Sequence, residues 1–305
     1  MDIKKVESML RTRLSKNNIR INEPMKDHTS FKIGGPADLF ITPTTIDELH
    51  ATLQICKTYH IPFYIIGNGS NLLVDDQGFR GVIIQLYKNL SDIDIQGTTI
   101  TAYSGLLLSQ IANAALERGL TGFEFAHGIP GTLGGAVAMN AGAYDGEIKD
   151  VIVSAQVMDQ EGNILVLSKD DLALGYRTSS VQTNHYIVLK ATLVLKEGIK
   201  EDIATAMSEL ACRRRDKQPL DMPSAGSTFK RPSGCFAGKL IMDSGLRGYK
   251  IGGAMVSEKH CGFVVNDGTA TFEDVEKLIQ TIKKTVKEKY QVDLDPEVRI
   301  IKNDV

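Results

Sequence analysis

Residues 64–74 read YIIGNGSNLLV, and this stretch decides how the rest of the chain is interpreted. An apolar run enters it, another leaves it, and between them two glycines alternate with small polar residues. Glycine permits positive φ and lets a ligand approach the backbone closely. Consecutive backbone N–H groups on such a turn form a concave anion site that suits a diphosphate. An ordinary hairpin loop is the alternative, because Asn-Gly is a common turn sequence.

A second stretch, dense in glycine, favours the ligand-binding interpretation. Residues 122–146 read GFEFAHGIPGTLGGAVAMNAGAYDG, with seven glycines in 25 positions. The apolar residues are too interrupted for a helix or strand of normal length, so we expect a long loop around a flat or anionic ligand. A loop packed only on itself is the alternative, although long ordered loops are uncommon unless functional. Neither G-x-G-x-x-G nor G-x-x-x-x-G-K-[ST] occurs, which argues against a Rossmann dinucleotide site and a P-loop.

Length and composition are those of a globular protein with a large core. The 305 residues are 42% hydrophobic and 24% charged, with a net charge of −2, and this size predicts two or three domains. Nothing in the charge balance suggests binding to nucleic acid. The sequence contains no run of about 18 apolar residues, so no membrane span is expected. The N-terminus lacks the apolar core of a signal peptide. Four cysteines without zinc spacing and six scattered histidines predict no metal site, reduced thiols and a cytoplasmic location.

Periodicity and capping signals predict a mixed order of helices and strands. We expect helices over residues 2–16, 45–59, 106–118, 201–215, 236–244 and 271–290. We expect strands over residues 39–41, 63–66, 81–86, 98–103, 150–158, 163–167, 186–195 and 298–301, and a hairpin over 251–266. Many β segments surround the two glycine-containing stretches, so residues 65 to about 197 are interpreted as one α+β ligand-binding domain.

Residues 213–250 carry a local surplus of positive charge. They hold nine Lys and Arg against three Asp, in a chain whose total charge is negative. Such a surplus is a candidate anion-binding surface, and a solvated basic face is the alternative.

Five short motifs occur in a fixed order along the chain. They are GNGSN at 67–71, GIPGTLGGAVAMNAGAY at 128–144, GYR at 175–177, GSTFKRP at 226–232 and PEVR at 296–299. Together they closely resemble the UDP-N-acetylenolpyruvoylglucosamine reductase family, flavoenzymes that complete UDP-N-acetylmuramate for bacterial peptidoglycan. The resemblance runs from about residue 27 to residue 301. The chain resembles the shorter class, which lacks a tyrosine-bearing loop, and it has Arg231 where longer members carry Asn.

The resemblance implies an α+β fold: an FAD-binding PCMH-type fold of two subdomains, followed by a C-terminal α+β substrate-binding domain. The expected domains are residues 1–65, 66–197 and 198–305, and the last strand returns to the active site. The family implies FAD as cofactor, NADPH as hydride donor and the enolpyruvyl ether of UDP-N-acetylglucosamine as partner. It places the protein in cell-wall synthesis and, through it, in cell shape and division, without nucleic acid or membrane insertion.

The same resemblance implies the residues of the site. FAD-binding residues are Gly67, Asn68, Gly69, Ser70, Asn71, Leu72, Gly128, Ile129, Pro130, Gly131, Gly134, Gly135, Asn140, Gly142, Arg177 and Arg299. Substrate-binding residues are Tyr176 and Gly226, and the candidates for contact with the UDP diphosphate are three residues of the basic segment, Lys217, Arg231 and Lys239. Catalytic residues are Arg177, Ser227 and Glu297.

Chemistry agrees with the three catalytic assignments. Adding hydride to the terminal carbon of the enolpyruvyl group pushes negative charge onto the next carbon and into the carboxylate. That charge needs a fixed cation, and Arg177 can supply one in bidentate form. In the family Glu297 lies at the reacting carboxylate, where a low dielectric would favour its protonated form. Ser227 matches the proton donor to the carbanion, which is basic enough to take a proton from a hydroxyl.

Two other functions fit the same sequence. Another flavoprotein of the same fold, such as an oxidase using O₂ or a dehydrogenase of a small hydroxy acid, would also bind FAD. A nucleotide-sugar binding protein would use the basic residues of 213–250 and would be colourless.

Overall fold

The structure is a computed structural model that describes residues 3–302. Its α-helices are α1 (Ile3–Leu10), α2 (Ile46–Thr58), α3 (Leu108–Glu117), α4 (Leu133–Met139), α5 (Ile148–Val151), α6 (Ser180–Thr183), α7 (Lys200–Lys217), α8 (Ala237–Asp243) and α9 (Phe272–Tyr290). Short 3₁₀ turns lie at Lys16–Asn18, Met25–His28 and Glu124–Ala126.

The strands are short, and most belong to three sheets. They are β1 (Ile19–Pro24), β2 (Pro36–Ile41), β3 (Phe63–Ile66), β4 (Leu72–Val74), β5 (Phe79–Gln85), β6 (Ile93–Gln96), β7 (Thr99–Tyr103), β8 (Leu120–Thr121), β9 (Gly142–Ala143), β10 (Gly146–Glu147), β11 (Ile152–Met158), β12 (Ile164–Ser168), β13 (Ile187–Val194), β14 (Lys196–Glu197), β15 (Lys250–Ile251), β16 (Ala254–Val256), β17 (Val264–Asn266) and β18 (Arg299–Ile301).

The sheets combine antiparallel and parallel pairing. A five-stranded sheet has the order β12-β11-β13-β7-β6, with every neighbouring pair antiparallel. A four-stranded sheet has the order β1-β2-β5-β3, in which β3 and β5 are parallel. The third sheet is the antiparallel trio β15-β16-β17, and β18 pairs with β4 in parallel. The predicted α+β fold is therefore confirmed.

Local signals explain the helices that the sequence predicted. In α9 the Thr271 side chain accepts the Asp274 N–H at 3.1 Å, and Asp274 accepts the Thr271 N–H at 3.0 Å. This reciprocal capping box was expected, and it precedes a buried apolar stripe. The stripe consists of Phe272, Val275, Leu278, Ile279, Ile282 and Val286. Tyr290, the last residue of the helix, is 38% exposed.

Three local predictions are wrong in part. The first helix ends at Leu10 instead of residue 16, and residue 2 lies outside the described residues. The glycine-dense stretch contains α4, because Leu133, Ala136 and Val137 bury one face of a short helix. Residues 251–266 contribute to three strands instead of a simple hairpin. The strand β6 was not predicted.

The chain divides into two compact units. The first unit comprises residues up to Ile21, Leu39–Asn68 and Gly81–Arg214. The second unit comprises Asn22–Asp38, Gly69–Arg80 and the chain from Arg215 onward. The boundaries at residues 65 and 197 remain a prediction.

Each unit has its own hydrophobic core. In the first unit, one core includes Val6, Leu49, Ile84 and Leu189, and another includes Ile111, Leu133, Val137 and Leu193. In the second unit, the core packs α8 and α9 through residues such as Ile241, Val264 and Ile279. Within residues 3–302, no helix is long and apolar enough to cross a membrane. No group of three or more His, Cys, Asp or Glu in the same residues could hold a metal ion.

Candidate active site

The predicted site residues fall in both units. The first unit holds Gly67, Asn68, Gly128, Ile129, Pro130, Gly131, Gly134, Gly135, Asn140, Gly142, Tyr176 and Arg177. The second unit holds Gly69, Ser70, Asn71, Leu72, Lys217, Gly226, Ser227, Arg231, Lys239, Glu297 and Arg299.

In the first unit, the start of the GNGSN motif lies against the glycine-dense stretch. Asn68 Nδ2 donates a hydrogen bond to the Pro130 carbonyl at 2.8 Å. A side chain at Gly67 would place its Cβ 2.2 Å from Thr132 Oγ1, so only glycine fits there. Asn68 and Pro130 are 62 residues apart in the sequence. The start of the first motif and the glycine-dense stretch therefore lie against each other in this unit.

The two adjacent glycines of α4 have different surroundings. The Gly134 N–H donates to the Ser104 carbonyl at 2.8 Å, and a Cβ on Gly134 would lie 2.8 Å from Ser104 Cβ. A Cβ on Gly135 would meet only Thr132 Oγ1, at 3.8 Å, and Gly135 is exposed. Internal packing therefore accounts for Gly134, whereas Gly135 presents bare backbone to open space, where a ligand can approach.

Asn140 is fully buried, and its hydrogen bonds join the glycine-dense stretch to the GYR motif. It ends α4 at φ +41°, and its Nδ2 donates to Glu147 Oε2 at 2.7 Å and to the Gly175 carbonyl at 3.0 Å. Its Oδ1 accepts the Lys149 N–H at 2.9 Å. Both side-chain donors are used inside the protein, so the predicted role of Asn140 toward FAD rests on its backbone and on the residues that it positions.

Arg177 is held in an unusual backbone conformation. It lies in a turn between Gly175 and Thr178, with φ +55°. Its Nη2 donates to the Gly142 carbonyl at 3.2 Å, and its guanidinium lies 5.3 Å from the centre of the Tyr176 ring. Positive φ is uncommon for a long side chain and is found preferentially at functional sites. Gly142 and Arg177, both predicted site residues, are therefore in direct contact.

The second unit pairs the segment that follows Ser227 with the segment that contains Glu297. Glu297 N–H donates to the Thr228 carbonyl at 2.8 Å, and Phe229 forms a bridge with Pro296. Ser227 is exposed, and its hydroxyl makes no hydrogen bond to the part of the chain that the structure describes. A hydroxyl in this position is available to a ligand.

Asn71 connects this pair to the end of the GNGSN motif. Its Nδ2 donates to the Glu297 carbonyl at 3.2 Å, and its own carbonyl accepts the Arg299 N–H at 3.0 Å. The pairing continues where Arg299 lies opposite Leu72 in the β18–β4 ladder. The final strand thus gathers predicted cofactor-binding and catalytic residues within one unit.

Gly69 owes its conformation to its own surroundings. It has φ +66°, and a Cβ there would lie 1.8 Å from the His28 carbonyl oxygen. The fold therefore requires glycine at this position whether or not a phosphate approaches. A substitution of Gly69 therefore cannot separate ligand binding from folding.

The basic surplus of residues 213–250 is partly neutralised in the second unit. Lys230 pairs with Asp295 at 2.6 Å and Lys239 with Asp243 at 2.6 Å, and Lys250 pairs with Asp267. Two of these carboxylates lie outside the basic segment, which the sequence count could not include. In contrast, Lys217 at the end of α7 is exposed and forms no ion pair within residues 3–302.

The other predicted substrate-binding residues have simple surroundings. The Arg231 guanidinium stacks 3.9 Å from the centre of the Phe236 ring. Gly226 has φ +78° with no atom within 4 Å of an added Cβ.

A cavity of about 440 Å³ in the second unit is lined by Arg215 and Lys259 among others, and it includes none of the predicted site residues.

Sequence reasoning missed Arg214, which is half-buried beside the glycine-dense stretch. A Cβ on Gly128 would lie 3.2 Å from Arg214 Cδ. The neighbouring His127 Nδ1 is buried and has no hydrogen-bond partner among the described residues. A signal was available: Arg214 continues the inward face of α7, on which Ile203 and Met207 are buried.

Comparisons with known proteins agree with this geometry. Residues 37–168 match the FAD binding domain family, and residues 218–301 match the C-terminal domain of UDP-N-acetylenolpyruvoylglucosamine reductase. The chain is 56% identical over 285 residues to the UDP-N-acetylenolpyruvoylglucosamine reductase of Clostridium botulinum strain Langeland, covering 93% of each chain. It is 54% identical to the same-named protein of Caldanaerobacter subterraneus, covering 94% and 95%.

A solved structure gives the same result. The crystal structure of the reductase from Thermus caldophilus superposes with a TM-score of 0.79 at 35% identity, covering 92% of this chain and 97% of that one. Fold and sequence together define an FAD-containing oxidoreductase of the NADP-dependent class. Within that class, the chain belongs to the UDP-N-acetylenolpyruvoylglucosamine reductase family. The predicted FAD and NADPH are thereby confirmed at the level of the family.

Proposed function

We propose that this chain reduces the enolpyruvyl ether of UDP-N-acetylglucosamine to UDP-N-acetylmuramate, with NADPH as the reductant. The family membership supports the substrate. The observation that carries the catalytic part is the backbone pairing of residues 228–230 with residues 295–297, which includes the Thr228–Glu297 hydrogen bond of 2.8 Å. This pairing fixes the backbone at Glu297 beside the residue that follows Ser227, and fixed positions of this kind favour proton transfer next to a substrate carboxylate.

The residues present fit FAD. Gly135 offers bare backbone to open space, His127 Nδ1 is a buried polar atom without a partner, and Asn68 fixes the two motifs against each other. We propose that FAD is held by residues 67–72 and 128–142, together with Arg177 and Arg299. When bound, FAD supplies the hydride chemistry that no side chain provides, taking hydride from NADPH and giving it to the terminal enolpyruvyl carbon.

The catalytic side chains act on the charge that hydride addition creates. As the new C–H bond forms, the electron pair of the double bond moves to the adjacent carbon and is shared with the carboxylate. Arg177 binds that carboxylate through two parallel N–H donors, which a lysine could not reproduce. Glu297 stabilises the same enolate by hydrogen bonding, and its protonated form is the one suited to this role.

Ser227 completes the reaction by giving its hydroxyl proton to the carbanion. A positioned general acid contributes roughly 10²–10⁴-fold to a rate. The exposed position of the Ser227 side chain and the absence of a hydrogen bond to the described residues support this role. The serine is reprotonated from solvent before the next turnover.

The nucleotide part of the substrate needs cations that are not already paired. Lys217 meets this requirement, whereas Lys239 is paired with Asp243. We propose that Lys217 contacts the diphosphate, that Tyr176, Gly226 and Arg231 line the sugar-nucleotide site, and that Lys239 has a smaller role. We also propose a cytoplasmic location, which we infer from the proposed substrates, NADPH and a nucleotide sugar.

Substrate-dependent oxidation of NADPH tests the proposed function. The purified protein should show a flavin absorption band, and it should oxidise NADPH when enolpyruvyl UDP-N-acetylglucosamine is added but not when UDP-N-acetylglucosamine is added. NADPH oxidation coupled to O₂ and independent of the sugar nucleotide would indicate another flavoprotein of the same fold. A colourless protein that stays colourless after addition of FAD would indicate a binding protein.

A further inference from the structure

Arg214 is a desolvated cation without an anion in its unit. It forms no ion pair or hydrogen bond within residues 3–302, and burial lowers the pKa of its guanidinium. Its electrostatic neighbour is Tyr144, and no carboxylate within residues 3–302 forms an ion pair with Arg214. Arginine nevertheless stays protonated in proteins. A half-buried charge without a partner is partly removed from water at a cost in stability, which an anionic ligand would offset.

The surroundings of Arg214 differ from those of the two arginines that flank it. Arg213 is exposed and lies 3.9 Å from Glu209 on the same helix. Arg215 lies in the second unit and lines a cavity there. Only Arg214 of the three lies against the glycine-dense stretch, where Gly128 leaves room for its Cδ and Nη1, at 3.2 and 3.3 Å from an added Cβ.

A second polar group beside Arg214 also lacks a partner. His127 Nδ1 is buried without a hydrogen bond to the described residues, and Gly128 follows it directly. Two acidic side chains in this part of the unit are hydrogen-bonded elsewhere: Glu124 accepts from Thr121 and Gly122, and Glu147 accepts from Asn140. Since no carboxylate within residues 3–302 pairs with Arg214, its guanidinium is available to an anionic ligand.

We infer that Arg214 binds the diphosphate of FAD, with the His127 imidazole as a second donor. A guanidinium matches two phosphate oxygens in parallel, and the adjoining glycines let a phosphate come close to the backbone. The inference rests on the proposed function, because it takes FAD as the ligand. Arg214 acts by holding the cofactor, and it takes no part in proton transfer.

The test uses the opposite effects of one substitution on stability and on binding. Arg214→Met removes the unpaired charge and keeps the apolar stem. The flavin-free protein should unfold at the same or a higher temperature than wild type, while the Kd for FAD should rise about 10- to 100-fold, as expected for a lost charge-assisted hydrogen bond. Riboflavin, which has no phosphate, should bind both proteins equally. Arg214→Lys keeps the charge and should fall between them.

Arg213→Met is the matched control, because it removes the same charge from the neighbouring exposed position. It should leave the Kd for FAD unchanged, as measured by quenching of flavin fluorescence. An unchanged Kd in Arg214→Met would overturn the inference. So would a lower unfolding temperature with equal losses of FAD and riboflavin binding, which would indicate a structural role. Wild type that binds no FAD would instead refute the proposed function, and the inference with it.

Discussion

Gly134 and Gly135 are adjacent in α4, and substituting each in turn should distinguish a glycine needed for ligand binding from a glycine needed for internal packing. Gly135→Ala places a methyl group where the nearest atom is Thr132 Oγ1 at 3.8 Å, an ordinary contact. Alanine is better than glycine in a helix interior by about 0.8–1.0 kcal/mol, and by less near a helix end. The flavin-free variant should therefore be as stable as wild type or slightly more stable.

FAD binding should respond in the opposite direction. If the cofactor packs against the bare Cα of Gly135, an added methyl group overpacks that contact at a cost of about 1–3 kcal/mol. This cost corresponds to roughly a 5- to 150-fold higher Kd. Gly134→Ala is the contrasting variant, because its Cβ would lie 2.8 Å from Ser104 Cβ. That clash should lower the stability of the protein even without flavin.

Thermal unfolding of the flavin-free proteins and fluorescence titration with FAD measure the two effects. Gln280→Ala, at an exposed site of α9, serves as a control for helix propensity alone. The reasoning would be refuted if Gly135→Ala bound FAD with wild-type affinity at unchanged stability. It would also be refuted if Gly134→Ala proved to be as stable as Gly135→Ala.

Two further predictions concern the second unit. Asp76 accepts the Phe272 N–H at 2.8 Å, yet burial raises the pKa of its carboxyl, so ionisation costs stability as pH rises through that pKa. Asp76→Asn keeps a hydrogen-bond acceptor, so at pH 7 it should unfold at the same temperature as wild type or at a higher one. Any increase in unfolding temperature should disappear below pH 4, where Asp76 of the wild type is protonated. A much lower unfolding temperature of Asp76→Asn at pH 7 would contradict the prediction. Lys217→Ala should mainly raise KM for the sugar nucleotide in steady-state assays, and more at low salt, because the contact is made equally in ground and transition states. Lys239→Ala is its control, and equal effects of the two would count against the choice of Lys217.

The regular elements could be predicted because their signals are local. The capping box at Thr271 and the apolar stripe of α9 act within one helix, so the sequence contains the whole explanation. The helix α4 could not be predicted in this way. Its two adjacent glycines disfavour a helix, and seven residues are too few for a stable isolated helix. It forms because Leu133, Ala136 and Val137 pack into the core of the unit.

The candidate site could be predicted as a set of motifs. Which of its residues serve internal packing and which are available to a ligand could not be predicted. Glycine at position 69 is required by the His28 carbonyl and at position 134 by Ser104, and neither contact is visible in the sequence. Asn140 matched a family motif, yet both of its side-chain donors bond within the protein. In the sequence, Arg214 was only one of the charges of a basic segment. Whether it has an ion-pair partner depends on its three-dimensional surroundings, which the sequence does not show.

The central claim is that Ser227 delivers a proton to the substrate after hydride transfer, and stopped-flow absorbance of the flavin tests it most directly. Ser227→Ala should slow oxidation of the reduced flavin by enolpyruvyl UDP-N-acetylglucosamine by roughly 10²–10⁴-fold. Flavin reduction by NADPH should stay close to wild type, since no carbanion forms in that step. Ser227→Cys should be less impaired than the alanine variant, and Ser233→Ala, at another exposed serine, should behave as wild type. Equal slowing of both half-reactions in Ser227→Ala would contradict the proton-donor role.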